Sequence, residues 1–385
     1  MSSDLSCFYQ SLQPIFLLNK IFGLFPFKLS YDATLMLISS RKELFLPTVW
    51  FFVALAAGCY SLTRYFSVEM EDKILKAVYI AYYSFLDLTA LSSITAIWFS
   101  RNKVKDIFRN LFAVDQLLDK SKTSILYKKS RSSSIKRMLF VFLFITMIAG
   151  CLIYYYFGNF LNVITAVCET ILNTINIMFI FQYVTIVQGI RTRYYQLWKN
   201  LKTLHKENKG AVTSQMQGAY IYNSYIADTV IISFLRQQHF LLSTVVSLLN
   251  EVYGFTILLL VMTTMSNCVV SLYDGINILK RDEDPIQSVS VILIGTFMFI
   301  PVLCVVISCH QVVHQNENQM TSIQELLISK SVNHRTQNEL KELLLQIKLM
   351  RPKFSAGGFF MLNLQFVCTS FSSIFTYIII MSQIK

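Results

Sequence analysis

Residues 287–309 read QSVSVILIGTFMFIPVLCVVISC, a run that is uncharged and almost wholly apolar. A helix crosses the hydrocarbon core of a bilayer with about 20 predominantly apolar residues, so this run is long enough to span a membrane. Six further runs have the same character, at 44–66, 77–99, 138–157, 161–190, 240–272 and 358–384. The sequence therefore predicts an all-α membrane protein with seven transmembrane helices.

The composition agrees with this class and argues against several others. Hydrophobic residues make up 54% of the chain and charged residues only 15%, far from an ordinary soluble protein. The net charge of +12 is distributed over several loops without a compact basic domain, so we expect no nucleic-acid partner. We find no nucleophile–base pair, phosphate-binding glycine loop or paired carboxylates, and we predict neither an enzyme nor a cofactor.

The distribution of Lys and Arg predicts the orientation of the helices. Of the 34 basic residues, 28 precede the first span or lie between the second and third, fourth and fifth, or sixth and seventh spans. Because loops rich in Lys and Arg stay in the cytosol, we expect a cytosolic N-terminus and an extracellular C-terminus. This orientation is the inverse of that of a G-protein-coupled receptor.

The spans and the basic segments divide the chain into six parts. We expect a cytosolic N-terminal segment at 1–43, and transmembrane helices 1–4 at 44–190 with a basic cytosolic loop at 100–137. A cytosolic helical extension follows at 191–238, then helices 5–6 at 239–310, cytosolic anchor helices at 311–357, and a pore-lining helix 7 at 358–385. The Ser/Lys/Arg cluster at 128–137 is expected to contact anionic lipid headgroups.

The C-terminal residues 376–385, TYIIIMSQIK, resemble the C-terminal signature of the insect gustatory receptors, which is Thr-Tyr, five hydrophobic residues, Gln-Phe. Thr376, Tyr377 and Gln383 match, whereas Ser382 replaces the fifth hydrophobic residue and Ile384 replaces the Phe. Residues 21–27, IFGLFPF, are similar to a segment that these receptors carry before their first span.

The resemblance implies a homo- or hetero-tetramer around one central pore, held together by the cytosolic extensions and gated by a small-molecule tastant. Such a protein would be a non-selective cation channel in the plasma membrane of gustatory receptor neurons, on dendrite, axon or cell body. Sugar receptors of this family tend to carry an acidic residue where Ile378 stands, which favours bitter or other plant compounds. A sugar- or fructose-type nutrient receptor, a metabotropic seven-helix receptor and a secondary transporter are the alternatives.

Helical spacing predicts a polar stripe along the last span. Its members are Gln365, Thr369, Ser372, Thr376 and Gln383. A polar stripe should face protein or water and not lipid, so it indicates either a pore lining or tight helix packing. In the resembling family the Gln of the signature lies at the narrow part of the pore. We therefore predict Gln383 in that role, Ile380 or Ile384 as a hydrophobic gate, and Tyr377 as a brace against neighbouring helices.

Ionisable side chains within the spans indicate a second candidate site. Asp87, Glu169 and Glu251 are the three, and Asn162, Asn173 and Asn176 share the helical face of Glu169. Tyrosines occur at the same level of the second and third spans, and aromatic walls with a few polar groups suit a small organic ligand. The predicted ligand contacts are Glu169, Asn173, Asn176, Tyr83, Tyr155 and Glu251. Alternatively, the tyrosines form an aromatic belt at the membrane interface, and the asparagines hydrogen-bond between helices.

Cysteine and histidine give weak patterns only. Cys151, Cys168 and Cys268 could approach the outer side, and a disulfide among them is possible although no spacing supports it. Cys309, His310 and His314 have a spacing that zinc can use, but they lack a fixed fourth ligand, and we predict no metal site.

Overall fold

The computed structural model describes residues 13–14, 16–29, 37–38, 41–67, 73–120, 127–155, 160–213, 218–280, 285–328 and 334–383. From Phe45 onward the described α-helices, numbered along the chain, are α1 (Phe45–Ser67), α2 (Lys73–Phe99), α3 (Arg101–Lys120), α4 (Tyr127–Tyr155), α5 (Phe160–Thr213), α6 (Gly218–Lys280), α7 (Pro285–Ile328), α8 (His334–Leu349) and α9 (Leu364–Gln383). Before them, residues 16–21 are helical and Arg41–Leu44 form a 3-10 helix. Two antiparallel strand pairs accompany them, β1 (Lys28–Leu29) with β2 (Leu37–Ile38) and β3 (Ser355–Ala356) with β4 (Phe360–Met361).

Six of the described helices, α1, α2 and α4–α7, are long and apolar enough to cross a membrane. The first six predicted spans fall on these helices. The seventh predicted span, 358–384, begins too early, because residues 360–361 form a strand and the helix starts only at Leu364. In α9 the apolar stretch is the shorter Leu364–Ile380, so a seventh crossing stays a prediction.

Three helices are far longer than a bilayer requires. α5 has 54 residues, α6 has 63 and α7 has 44, against about 20 for one crossing. Their surplus lies on the side of the predicted extensions 191–238 and 311–357, where α3 and α8 also pack. We call this the basic end of the bundle and the opposite end the far end.

The core lies between α2, α5, α6 and α7. α6 packs extensively on α2 and α7, and α7 packs extensively on α5. Over half of the apolar windows of α5, α6 and α7 is buried. In contrast, only 28% of the window of α1 and 22% of that of α4 is buried. Because lipid is as apolar as a leucine side chain, α1 and α4 can present apolar residues outward without cost.

The basic end is held by buried apolar stripes and charge pairs. Leu340, Leu343 and Ile347 of α8 recur at helical spacing and are buried. Deeper in the same end, Arg193 of α5 donates from Nε to Oδ1 of Asp115 at 2.7 Å and from Nη2 to Oδ2 at 2.5 Å. Both side chains are more than nine-tenths buried, so this bidentate pair fixes α3 against α5.

A glycine turn explains why α9 starts late. Gly357 and Gly358 have φ values of 58° and 81°, a region that other residues rarely adopt, and they turn the chain between β3 and β4. This hairpin packs on Gly254 of α6, where a Cβ would lie 2.9 Å from the Gly357 nitrogen. Asn250, one turn earlier, donates to the Lys353 carbonyl at 2.6 Å and accepts from the Ser355 amide at 3.1 Å.

Candidate functional site

Three tyrosines of α2 face the predicted acidic residue of α5. Tyr79, Tyr82 and Tyr83 are three and four residues apart, so they share one helical face. The Tyr82 hydroxyl donates to Oε1 of Glu169 at 2.7 Å, and the Tyr83 hydroxyl donates to Oε2 at 3.1 Å. Glu169 is buried, and each of its carboxylate oxygens thus receives a phenolic hydrogen bond.

A second carboxylate lies beside the first. The Tyr79 hydroxyl donates to Oδ2 of Asp274, near the far end of α6. Tyr65 of α1 stacks against Tyr79 and Tyr83 with ring centroids 5.2 Å and 4.4 Å apart. The tyrosines and both carboxylates therefore form one cluster, contributed by α1, α2, α5 and α6.

This cluster surrounds a small cavity, which we call the outer cavity. Its volume is about 30 Å³, room for one or two water molecules. The lining residues are Tyr79, Tyr82, Tyr83, Leu152, Glu169, Asn267, Val270, Ser271, Asp274, Val291 and Ile294. An organic ligand could occupy it only if the surrounding helices moved apart.

A second cavity, the inner cavity, lies next to the first and shares one lining residue with it. Its volume is about 20 Å³, and Asn267 lines both cavities. Asn173 and Asn176 also line it. Asn173 lies within hydrogen-bonding reach of the Tyr82 hydroxyl, whereas the Nδ2 atom of Asn176 finds no acceptor among the described residues. A buried amide without an acceptor costs free energy, so the inner cavity suits a water molecule or a ligand oxygen.

The other polar residues that the sequence singled out within the spans, including the predicted ligand contacts Glu251 and Tyr155, are not among the described members of this cluster. Glu251 is exposed and pairs with Lys103 of α3 at 2.8 Å, near the basic end and away from both cavities. Asp87 is buried against Gly58, where a Cβ would overlap its carboxyl group. Asn162 accepts from Arg64, whose other nitrogen donates to Thr165. The side chain of Tyr155 lies outside the described residues.

The predicted pore residues lie on the exposed side of α9. Ser370 and Ile374 are buried against the bundle, and Phe371 packs on Phe299 with ring centroids 4.6 Å apart. The residues of the predicted stripe, Gln365, Thr369, Ser372, Thr376 and Gln383, are exposed, as are Tyr377 and Ile380. Ile384 lies outside the described residues.

The hydroxyls of this stripe bond to their own helix. Ser372 donates to the Cys368 carbonyl at 3.1 Å and Thr376 to the Ser372 carbonyl at 2.9 Å. Such back-bonding uses the hydroxyl hydrogen and leaves oxygen lone pairs turned outward. The stripe therefore presents acceptors, the polarity that a cation requires.

The cysteine and histidine patterns can also be placed. Cys151, Cys168 and Cys268 are free thiols, so the possible disulfide among them is absent. His310 and His314 are both exposed, with ring centroids 6.5 Å apart. Within the described part of the chain no three His, Cys, Asp or Glu side chains converge on a common point.

Sequence reasoning missed Tyr65, Asn267 and Asp274. Asp274 falls just beyond the predicted fifth span, and its partner Tyr79 is 195 residues away, so no local period connects them. Tyr65 follows the pattern of an interfacial aromatic residue at the end of a span. The available signal was its level in the bundle, which is that of Tyr79 and Tyr83.

Comparisons with known proteins agree on the type of protein. The family model described as 7tm Chemosensory receptor matches residues 12–385. The insect olfactory receptor OR5 of Machilis hrabei shares the fold, with a TM-score of 0.68 and 13% identity over 97% of this chain and 98% of that one. Its complex with eugenol gives a TM-score of 0.69 at 13% identity, over 98% and 99% of the two chains. No curated protein sequence matches.

Proposed function

We propose that this chain, which belongs to the 7tm chemosensory receptor family, is a gustatory receptor that acts as a ligand-gated, non-selective cation channel for tastants. Bitter or other plant compounds are the favoured ligands. The chain would work as a homo- or hetero-tetramer in the plasma membrane of gustatory receptor neurons, with the far end of the bundle outside the cell.

The exposed polar side of α9 carries this proposal. In a single chain, Ser372 and Thr376 face away from the bundle, although Leu364–Ile380 is an apolar helix. Their hydroxyls donate within the helix, but the amides of Gln365 and Gln383 on the same side are exposed as well. Amide groups facing lipid are unfavourable, so this side favours a neighbouring chain or water. Four such helices around one axis would meet the requirement and form a path lined by hydroxyl and amide oxygens.

The outer cavity supports a small organic ligand as the activator. It has aromatic walls, two carboxylates and the inner cavity beside it. The structure of the OR5 receptor in complex with eugenol, a small aromatic molecule, is consistent with a ligand of this size in the same fold.

Whole-cell recording in a heterologous cell without added G protein tests the channel. We expect members of a panel of alkaloids, plant glycosides and sugars to evoke current that reverses near zero millivolts. A response that needs a G protein would instead support a metabotropic receptor, and substrate-coupled uptake would support a transporter.

Two serines of α9 provide a matched pair of variants. Ser372→Ala and Ser370→Ala make the same chemical change two residues apart, on nearly opposite sides of the helix. We expect Ser372→Ala and Gln383→Ala to change relative ion permeability or single-channel conductance, and Ser370→Ala to leave both unchanged. Equal behaviour of Ser372→Ala and Ser370→Ala, with Gln383→Ala silent, would remove α9 from the pore.

A further inference from the structure

The outer cavity has an unusual charge for a site inside a membrane bundle. Glu169 and Asp274 line it, and none of its described lining residues is Lys, Arg or His. Arg64 is bonded to Asn162 and Thr165, which lie two turns and one turn before Glu169 on α5, and it is not a lining residue. The lining therefore carries acidic groups without a basic one, which favours a cation in the cavity.

The aromatic walls favour the same kind of group. Tyr65, Tyr79 and Tyr83 form a stack whose outer members line the cavity. Tyr79 and Tyr83 donate their hydroxyl hydrogens to the carboxylates, which increases the electron density of the rings. Tyrosine faces attract ammonium groups, most strongly where water is excluded.

The inner cavity adds an opposite requirement. Asn173 and Asn176 line this cavity and are 94% and 97% buried, since their exposed fractions are 6% and 3%. The Nδ2 donor of Asn176 has no acceptor among the described residues. An amide N–H recognises an oxygen acceptor and repels an ammonium. The two neighbouring cavities, which share Asn267, thus suit a positive group in the outer one and an oxygen acceptor in the inner one.

We propose that the activating ligand is a protonated or quaternary aromatic amine that also carries an oxygen acceptor. Its ammonium group lies between Glu169 and Asp274 against the tyrosine rings, and its oxygen replaces water beside Asn173 and Asn176. This assignment rests on the proposed function and narrows it to one class of ligand. Because the cavities now hold only water-sized volumes, binding requires the far ends of the helices to separate.

Paired probes test the charge directly on the unaltered protein. Benzyltrimethylammonium and phenacyltrimethylammonium, which adds a carbonyl oxygen, are each compared with the uncharged analogue in which carbon replaces nitrogen. Binding is measured as a shift of the thermal unfolding midpoint of purified protein. We expect both cations to bind at least about tenfold more tightly than their neutral analogues, and the phenacyl compound to be the tighter of the two.

Two conservative variants locate the site. Glu169→Gln and Asp274→Asn keep the side-chain shape and an acceptor for tyrosine, and each should weaken cation binding about tenfold or more while sparing the neutral analogues. Glu317→Gln removes an equal charge at an exposed position of α7 and should change neither the binding of the cations nor that of their neutral analogues. If no charged probe binds better than its neutral analogue, or if both cavity variants bind the cations normally, the inference is overturned.

Binding and current separate this inference from the channel proposal. Cation binding without current in any cell tested would sustain the ligand class and refute the channel. Currents evoked only by uncharged compounds would sustain the channel and refute the ligand class.

Discussion

The hairpin contact at Gly254 predicts opposite effects for one substitution at two glycines. A Cβ at Gly254 would lie 2.9 Å from the Gly357 nitrogen and 3.3 Å from the Ser355 carbonyl oxygen, whereas a Cβ at Gly150 of α4 would meet no atom within 4 Å. The atoms at Gly254 belong to the backbone and cannot rotate away. Ordinary van der Waals contact between heavy atoms begins at about 3.5 Å, so the hairpin must move outward by about half an ångström.

The expected magnitude follows from two terms. Replacing a helical glycine by alanine stabilises a helix by about 1 kcal/mol at either site. At Gly254 the overpacking costs about 1–3 kcal/mol. Because both variants gain the same helix stabilisation, their free energies of unfolding should differ by the overpacking cost alone. At an unfolding entropy of about 2.1 cal/mol/K per residue, a chain of 385 residues shifts by about 1 °C per kcal/mol.

Thermal unfolding of the purified protein checks this prediction. The three Trp residues provide an intrinsic fluorescence signal, and both variants are measured in one detergent at one protein concentration. Gly150→Ala should unfold at or above the midpoint of the natural chain, with Gly254→Ala about 1–4 °C below Gly150→Ala. Equal midpoints for the two variants would refute the close packing of the hairpin on α6.

Three further predictions concern other contacts. Asp115→Asn should destabilise the protein by about 3–5 kcal/mol because the buried guanidinium of Arg193 loses its carboxylate, while Asp115→Leu with Arg193→Met should recover most of that loss in the same unfolding assay. Gly58→Ala should sharply lower the yield of folded protein in size-exclusion profiles, and Asp87→Ala in the same chain should restore it, since the alanine Cβ would otherwise overlap the carboxyl group. Asn250→Ala removes two hydrogen bonds to the hairpin, each worth about 1 kcal/mol, and should change the half-maximal agonist concentration severalfold without altering ion permeability in whole-cell recordings.

Hydropathy predicted most of the fold because lipid imposes one rule on every span. The rule fails where a short segment satisfies the apolar criterion without being helical. Residues 358–363 are mostly apolar and belong to the last predicted span. In the structure Gly357 and Gly358 turn the chain there, and α9 begins only at Leu364. Hydropathy also places the charged residue Glu251 inside the apolar run 240–272. Only the fold shows that Lys103 reaches it and forms an ion pair.

The candidate site was predictable where one helix supplies several of its members. The shared face of Glu169, Asn173 and Asn176 follows from the helical period, and the structure buries all three. Asp274 and Tyr65 reach the site from two other helices. Their positions depend on how the helices pack, which the period of a single helix does not determine.

The two candidate regions are joined by one continuous helix. α6 lines the outer cavity with Asn267, Ser271 and Asp274, and it holds the hairpin that leads into α9 at Asn250 and Gly254. From residue 250 to residue 274 a helix rises about 36 Å, about the thickness of a membrane. A ligand that separates the helices at the far end must tilt or shift α6, because a helix does not stretch.

The hairpin moves with α6, and since only two residues separate β4 from α9, the start of the polar stripe moves as well. A ligand can bias this motion only by binding one arrangement more tightly, so the cavity volume should differ between closed and open states.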